Sequence, residues 1–160
     1  MTLDELLARE SIRQTLARYN IFGDRVRVDE FLEAFAEDGI LEFGGERAGD
    51  VTRHEGRAAI RAWMTDWKRQ PPSTDPKPAQ APPAHMFVRH HLTTSHIEFT
   101  GPDTAEGRTY FAVYTPIGQD HAGVYTDRFR KVGDHWLIAH RKVRTEWRAE
   151  NSFFQQKPAE

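Results

Sequence analysis

The chain has no cysteine, which excludes disulfides, thiolate metal sites and a cysteine nucleophile. It has no surplus of positive charge: 22 Lys and Arg stand against 24 Asp and Glu, a formal net charge of −2. The broad basic field that nucleic-acid binding uses is therefore missing, and no nucleic-acid partner is expected. No apolar run comes near the roughly 20 residues that a membrane helix needs, so no membrane partner is expected. The opening M-T-L-D-E-L-L-A-R-E is acidic and amphipathic, without the layout of a signal peptide. Cytoplasm is the expected compartment. There is no internal repeat, and the one biased block is a proline loop.

What is present is an ordinary globular balance over 160 residues, 38% hydrophobic and 29% charged. That suits one domain with a real core, here residues 1–150, followed by a polar, extended tail over 151–160. Leu3, Leu6, Leu7, Ile12, Leu16 and Tyr19 recur at helical spacing and predict a first helix from about Leu3 to Phe22, capped by Gly23. Asp24 then falls just past its end. Asp29 is a candidate N-cap for a short second helix carrying Phe31, Leu32 and Phe35, ended by Gly39. Ile40 to Phe43 reads as a short strand, and Gly44, Gly45 and Gly49 mark a loop. A third helix over about 56–68 has Ile60, Trp63, Met64 and Trp67 as its stripe. After the prolines of 71–83 come four strands, about 86–99, 105–117, 121–132 and 135–147, separated by turn signals such as Gly101-Pro102-Asp103 and Gly133-Asp134. The expected fold class is α+β: a curved, cone-shaped antiparallel sheet packed on three helices from the N-terminal half. Such a cone encloses a small-molecule pocket.

The most informative stretch is M-F-V-R-H-H-L-T-T-S-H-I-E-F, residues 86–99. Period-two alternation puts Met86, Val88, His90 and Leu92 on one face, and Phe87, Arg89 and His91 on the other. Past Leu92 the apolar parity moves to Ile97 and Phe99, which predicts a bulge in Thr93-Thr94-Ser95. A histidine on an apolar face needs a hydrogen-bond partner and can titrate near neutrality. Three histidines in one strand raise a metal site, but opposite facing and the bulge argue against it, so no metal is expected.

The pieces R-E-S-I-R-Q-T-L-A-R-Y, Y-N-I-F-G-D, R-H-H-L-T-T-S-H-I-E-F, E-G-R-T-Y-F and Y-T-D-R-F-R-K-V-G-D-H-W-L-I-A-H-R-K-V-R, in this order, resemble the SnoaL-like branch of the nuclear-transport-factor-2-like superfamily. The branch includes scytalone dehydratase, bile-acid dehydratase, hexachlorocyclohexane dehydrochlorinase, ketosteroid isomerase and polyketide cyclases. The resemblance implies the cone fold, a buried pocket, no cofactor, and homo-oligomers (dimer or trimer). It implies an Asp-His dyad in which Asp24 meets His90, or His91 if the bulge lies earlier; strand parity favours His90. Tyr19 matches a pocket tyrosine five residues before the aspartate, though it also continues the apolar stripe after Leu16. Arg141 or Arg144 on the last strand matches an inward arginine, and their parities differ. Two departures stand out. Val113 replaces an acidic residue of the bile-acid dehydratase. Val113-Tyr114-Thr115 stands where scytalone dehydratase has a second histidine, and Tyr114 or Thr115 could substitute as hydrogen bonders.

The residues and the resemblance together lead to a cofactor-independent lyase, dehydratase or isomerase. Its substrate would be a hydrophobic cyclic molecule: steroid-, polyketide- or aromatic-like. His90 would remove a proton, Asp24 would orient it, and Tyr19 and an arginine would stabilise the developing charge. Phe22, Phe35, Phe43, Trp63, Phe111, Val113 and Thr115 are the expected substrate-binding residues. The alternative is a non-catalytic binding or assembly module, such as the small subunit of a ring-hydroxylating dioxygenase. Phe87, Val124 and Phe129 are expected on the outer face, where oligomers would form.

Overall fold

A computed structural model describes residues 1–44, 51–69 and 87–154, with the side chains of 67–69 excepted. The expected loop at Gly45 and Gly49, the proline loop and Met86 lie outside the described residues, and the Trp67 side chain lies outside the described side chains. Helix α1 spans Leu3–Asp24, α2 Val28–Leu32 and α3 Gly56–Arg69. The strands are β1 Phe35–Gly44, β2 Val51–Glu55, β3 Arg89–Gly101, β4 Thr104–Thr115, β5 Gly118–Val132 and β6 His135–Arg148. They form one sheet in the order β2-β1-β6-β5-β4-β3. All neighbouring pairs are antiparallel except β1 with β6, which is parallel. Among the described residues no helix is long and apolar enough to cross a membrane.

The helices lie on one face of a curved sheet. The core forms where Ile12, Leu16 and Tyr19 of α1 and Phe31 of α2 meet Leu41, Phe111, Tyr125 and Ile138 of the sheet. Each such side chain contributes roughly 1.5–3 kcal/mol when taken from water. Curvature comes from register shifts: Leu92/Ser95 in β3, and extra residues of β6 at Glu146 and Ala139, opposite Ala122/Gly123 and Arg128/Phe129 of β5. The first is the bulge that the parity change predicts. Ile97 is buried and Phe99 partly so, while Thr93, Thr94 and Ser95 are exposed.

Several boundaries differ from the sequence reading. Helix α1 runs on through Gly23 to Asp24, because Gly23 is not its cap. A Cβ on Gly23 would come within 3.3 Å of the Phe31 ring, so the glycine lets α2 pack close. The turn is made instead at Val26, with φ +52°, a left-handed conformation that costs a non-glycine residue about 1–3 kcal/mol. Asp29 lies inside α2, whose N-cap is Arg27. Phe35 opens β1 rather than closing a helix, since pairing with β6 at Ile138 overrides local helical preference. Strand β2 was not expected: V-T-R-H-E is short, exposed and mostly polar, and forms only by pairing with β1. Phe129 faces the core and Val124, of opposite parity, is buried outside the core cluster; the outer face exposes Tyr110, Tyr114 and Trp147. Residues 149–154 fold back onto β5 instead of leaving the domain, with the Ala149 N–H donating to the Asp120 carbonyl at 2.8 Å.

Candidate active site

Between the sheet and the helices lies a cavity of about 230 Å³. Its walls are aromatic and aliphatic: Tyr19, Phe31, Phe43, Trp63, Met64, Val88, Phe111, Tyr125, Val143 and Phe154. Its polar lining is Asn20, Asp24, His90, His121, Thr145 and Arg148. Such an enclosure strengthens each polar interaction within it.

Asp24 is the last residue of α1, at the negative end of the helix dipole, where a carboxylate is locally unfavourable. It is held there by β3. The backbone N–H of His90 donates to Asp24 Oδ2 at 3.0 Å, and His90 Nδ1 lies 2.5 Å from Asp24 Oδ1. One carboxylate thus grips both the backbone and the ring of one histidine. The Asp24 side chain is 6% exposed and that of His90 25%. With Nδ1 engaged, Nε2 is the ring atom left for the cavity.

A second pair was missed by the sequence reading. His121 Nδ1 lies 2.8 Å from Asp120 Oδ1. Asp120 is the extra residue of a bulge, since Val113 faces His121 while Tyr114 faces Gln119. The bulge brings two consecutive side chains to the same buried place. Asp120 also accepts from Ser152 Oγ at 2.5 Å, the Phe153 N–H at 2.9 Å and Thr115 Oγ1 at 3.3 Å. Burial pushes its carboxyl up, but hydrogen bonds from His121, Ser152 and Phe153 outweigh that and hold it below the ordinary carboxylate range. The signal for His121 was in the two-residue period: Phe129, Asp127, Tyr125 and His121 share one face of β5.

Of the other expected site residues, Phe43, Trp63, Phe111 and Tyr19 line the cavity. Burial, partly countered by the Arg141 guanidinium, pushes the Tyr19 hydroxyl up to about 12, so it stays a donor at neutral pH. Arg141 is fully buried but does not reach the cavity. It makes a bidentate pair with Asp127, at 2.8 and 2.7 Å, and its guanidinium lies 4.1 Å from the ring centroids of Tyr19 and of Tyr125. Arg144 is a correction: it points outward, half-exposed, and pairs with Glu146. His91 faces out, as the strand parity predicts, and meets the Tyr114 ring edge-on. Parity decides both, because each is one residue removed from an inward neighbour. Phe35 and Val113 are buried in the core without lining the cavity, Thr115 is spent on Asp120, and Phe22 packs beside Arg27. Arg148, also unforeseen, lines the cavity and donates through Nη1 to the Phe154 carbonyl. Among the described residues no three His, Asp or Glu side chains gather as a metal site would need.

Solved structures with this fold include a variant of Rv3472, a protein of unknown function from Mycobacterium tuberculosis. It is 25% identical, covers 89% of this chain and 73% of its own, and has a TM-score of 0.68. A candidate scytalone dehydratase of Novosphingobium aromaticivorans is 18% identical over 94% and 91% of the two chains, with a TM-score of 0.72. The protein LinA is 17% identical over 91% and 90%, with a TM-score of 0.71. No match to this chain occurs among curated proteins. A family model described as SnoaL-like domain matches residues 4–142, and with the curved sheet, the three helices and the enclosed cavity in place, the chain belongs to the SnoaL-like family.

Proposed function

We propose that this chain is a cofactor-independent lyase or isomerase of a hydrophobic cyclic molecule, with His90 as its base and Asp24 as the group that holds the base. The observation that carries this reading is the 2.5 Å contact between His90 Nδ1 and Asp24 Oδ1 within an aromatic cavity. Asp24 accepts a hydrogen bond from His90 Nδ1–H, which fixes the tautomer and leaves the Nε2 lone pair toward the substrate. Imidazole is an efficient base near neutral pH, and a positioned base is worth about 10²–10⁴-fold in rate. The protonated Tyr19 hydroxyl donates to the oxygen on which negative charge develops. Arg141 acts at a distance: paired with Asp127, it packs against the rings of Tyr19 and Tyr125 and stiffens that wall. The fold shared with a candidate scytalone dehydratase supports an elimination chemistry.

Turnover of cyclic hydroxyketones by His90→Ala is expected to fall by about 10²-fold or more, with the unfolding midpoint close to that of the unaltered protein. A variant that folds and keeps full turnover of a confirmed substrate rejects the reading. Tight ligand binding with no product formed would favour the binding-module alternative.

A further inference from the structure

Two histidine–aspartate pairs open onto one cavity, and a single base explains only one of them. We propose that His121, held by Asp120, is the proton donor to the leaving group, and that the reaction is therefore loss of water from a cyclic β-hydroxy carbonyl compound. This rests on the reading of His90 as the base.

The rings of His90, Phe111 and His121 form a triangle. Their centroids are 6.0 Å apart for His90 and Phe111, 6.1 Å for Phe111 and His121, and 6.3 Å for the two histidines. The two imidazoles are nearly perpendicular, at 85°. Each is engaged through Nδ1 by a carboxylate, and neither Nε2 takes a hydrogen bond among the described residues. A substrate ring resting on Phe111 would present adjacent carbons to both free nitrogens.

The two carboxylates are held differently. Among the described residues Asp24 accepts only from His90, through its backbone and its ring. Asp120 is fully buried and has three further donors, from Ser152, Phe153 and Thr115. An anion so enclosed is a fixed counter-charge for a ring protonated on both nitrogens. Residues 149–154 therefore form part of the site, since they supply two of those donors.

Leaving-group chemistry selects the reaction. Water has a pKa of about 15.7, so hydroxide departs poorly unless it is protonated as it leaves. A halide or carboxylate departs without help. A base that takes a proton and returns it elsewhere needs no second acid either. In the step proposed, His90 Nε2 takes the α-proton and the C–H pair becomes the new C=C bond. The β-carbon–oxygen bond breaks with its electrons on oxygen, and that oxygen takes the Nε2 proton of His121. Water leaves, His90 ends protonated and His121 neutral. A proton passed from one to the other through solvent resets the site.

The test compares β-hydroxycyclohexanone with β-acetoxycyclohexanone, read by appearance of the conjugated enone. His121→Gln is expected to lower kcat/KM for the hydroxyketone about 10²-fold or more while changing the acetoxyketone little. Ser152→Ala, which leaves the ring untouched, should show the same selectivity to a lesser degree and guards against a misfolded His121→Gln. His90→Gln should slow both ketones. Equal loss on both ketones in both His121→Gln and Ser152→Ala, or no loss in either, overturns the proposal. So does failure of the unaltered protein to dehydrate the hydroxyketone. A His90→Gln protein active on both ketones instead removes the base reading beneath it.

Discussion

Behind the cavity wall, Arg141 carries a charge that solvent does not reach, and Asp127, equally buried, answers it through two parallel hydrogen bonds. Burial alone would lower the guanidinium's proton affinity, but the Asp127 carboxylate more than restores it. Its Nη1 has no acceptor among the described residues. Pairs of this kind contribute little net stability against well-packed apolar replacements, yet breaking one leaves an uncompensated charge. Asp127→Ala is expected to cost about 3–5 kcal/mol in denaturant unfolding, and Asp127→Leu with Arg141→Met to recover most of it. A single substitution costing under about 1 kcal/mol would show that water reaches the pair. Asp24 shows the converse at this scale. A carboxylate on the wrong end of a helix is a local rule broken, and such breaks concentrate where a site requires them.

Strand β5 places His121 and Tyr125 in the cavity wall. Its bulge at Asp120 turns that carboxylate beside His121, and its Gly123 pairs with Phe111 of β4 where β6 bulges at Glu146. A Cβ on Gly123 would lie 2.1 Å from the Arg144 carbonyl oxygen and 2.9 Å from Phe111 Cζ. The first neighbour is backbone and cannot swing away, so β5 and β6 would have to separate. Gly123→Ala is expected to destabilise the fold by about 1–3 kcal/mol or more, as overpacking does, and to displace the Phe111 ring between the two histidines. Denaturant unfolding with an unchanged midpoint would mean that the strands part there at no cost. Gly118, with open space around it and φ +97°, serves only the turn.

Over the whole molecule, buried ionisable groups set the pH range of greatest stability. Asp120 and Glu42 sit below their ordinary values of 3.8 and 4.5, and burial holds His54 below 6.5. A group depressed in the folded state stabilises above its unfolded value and withdraws as pH falls through the folded one. Stability should therefore begin to decline below about 6.5 as His54 protonates, and fall further below about 4 with the carboxylates. Tyr19 is raised from 10.0 to about 12, and Tyr125 well above 10.0, chiefly by burial. Their contribution is present below 10.0 and lost as pH rises through the folded values. Unfolding free energy measured across pH should plateau between these limits. Asp120→Asn should flatten the acid limb and Tyr19→Phe the alkaline limb; limbs of unaltered slope would assign the pH response to other groups.

The sequence by itself determined the amphipathic helices, the long strands and the face on which His90 lies. These rest on periods of 3.6 and 2, which are local properties. The bulge after Leu92 was legible for the same reason, as a change of parity. The pairing of Asp24 with His90 followed from resemblance and not from spacing. Only the tertiary structure decided what bulges and packing control: that Arg141 is taken by Asp127, that Arg144 and not Arg141 faces outward, and that residues 149–154 return to clasp Asp120. It also decided that Asp120 and His121 form a second pair. A bulge moves one residue out of the alternation, and its position depends on the partner strand, which the chain's own order of residues does not display.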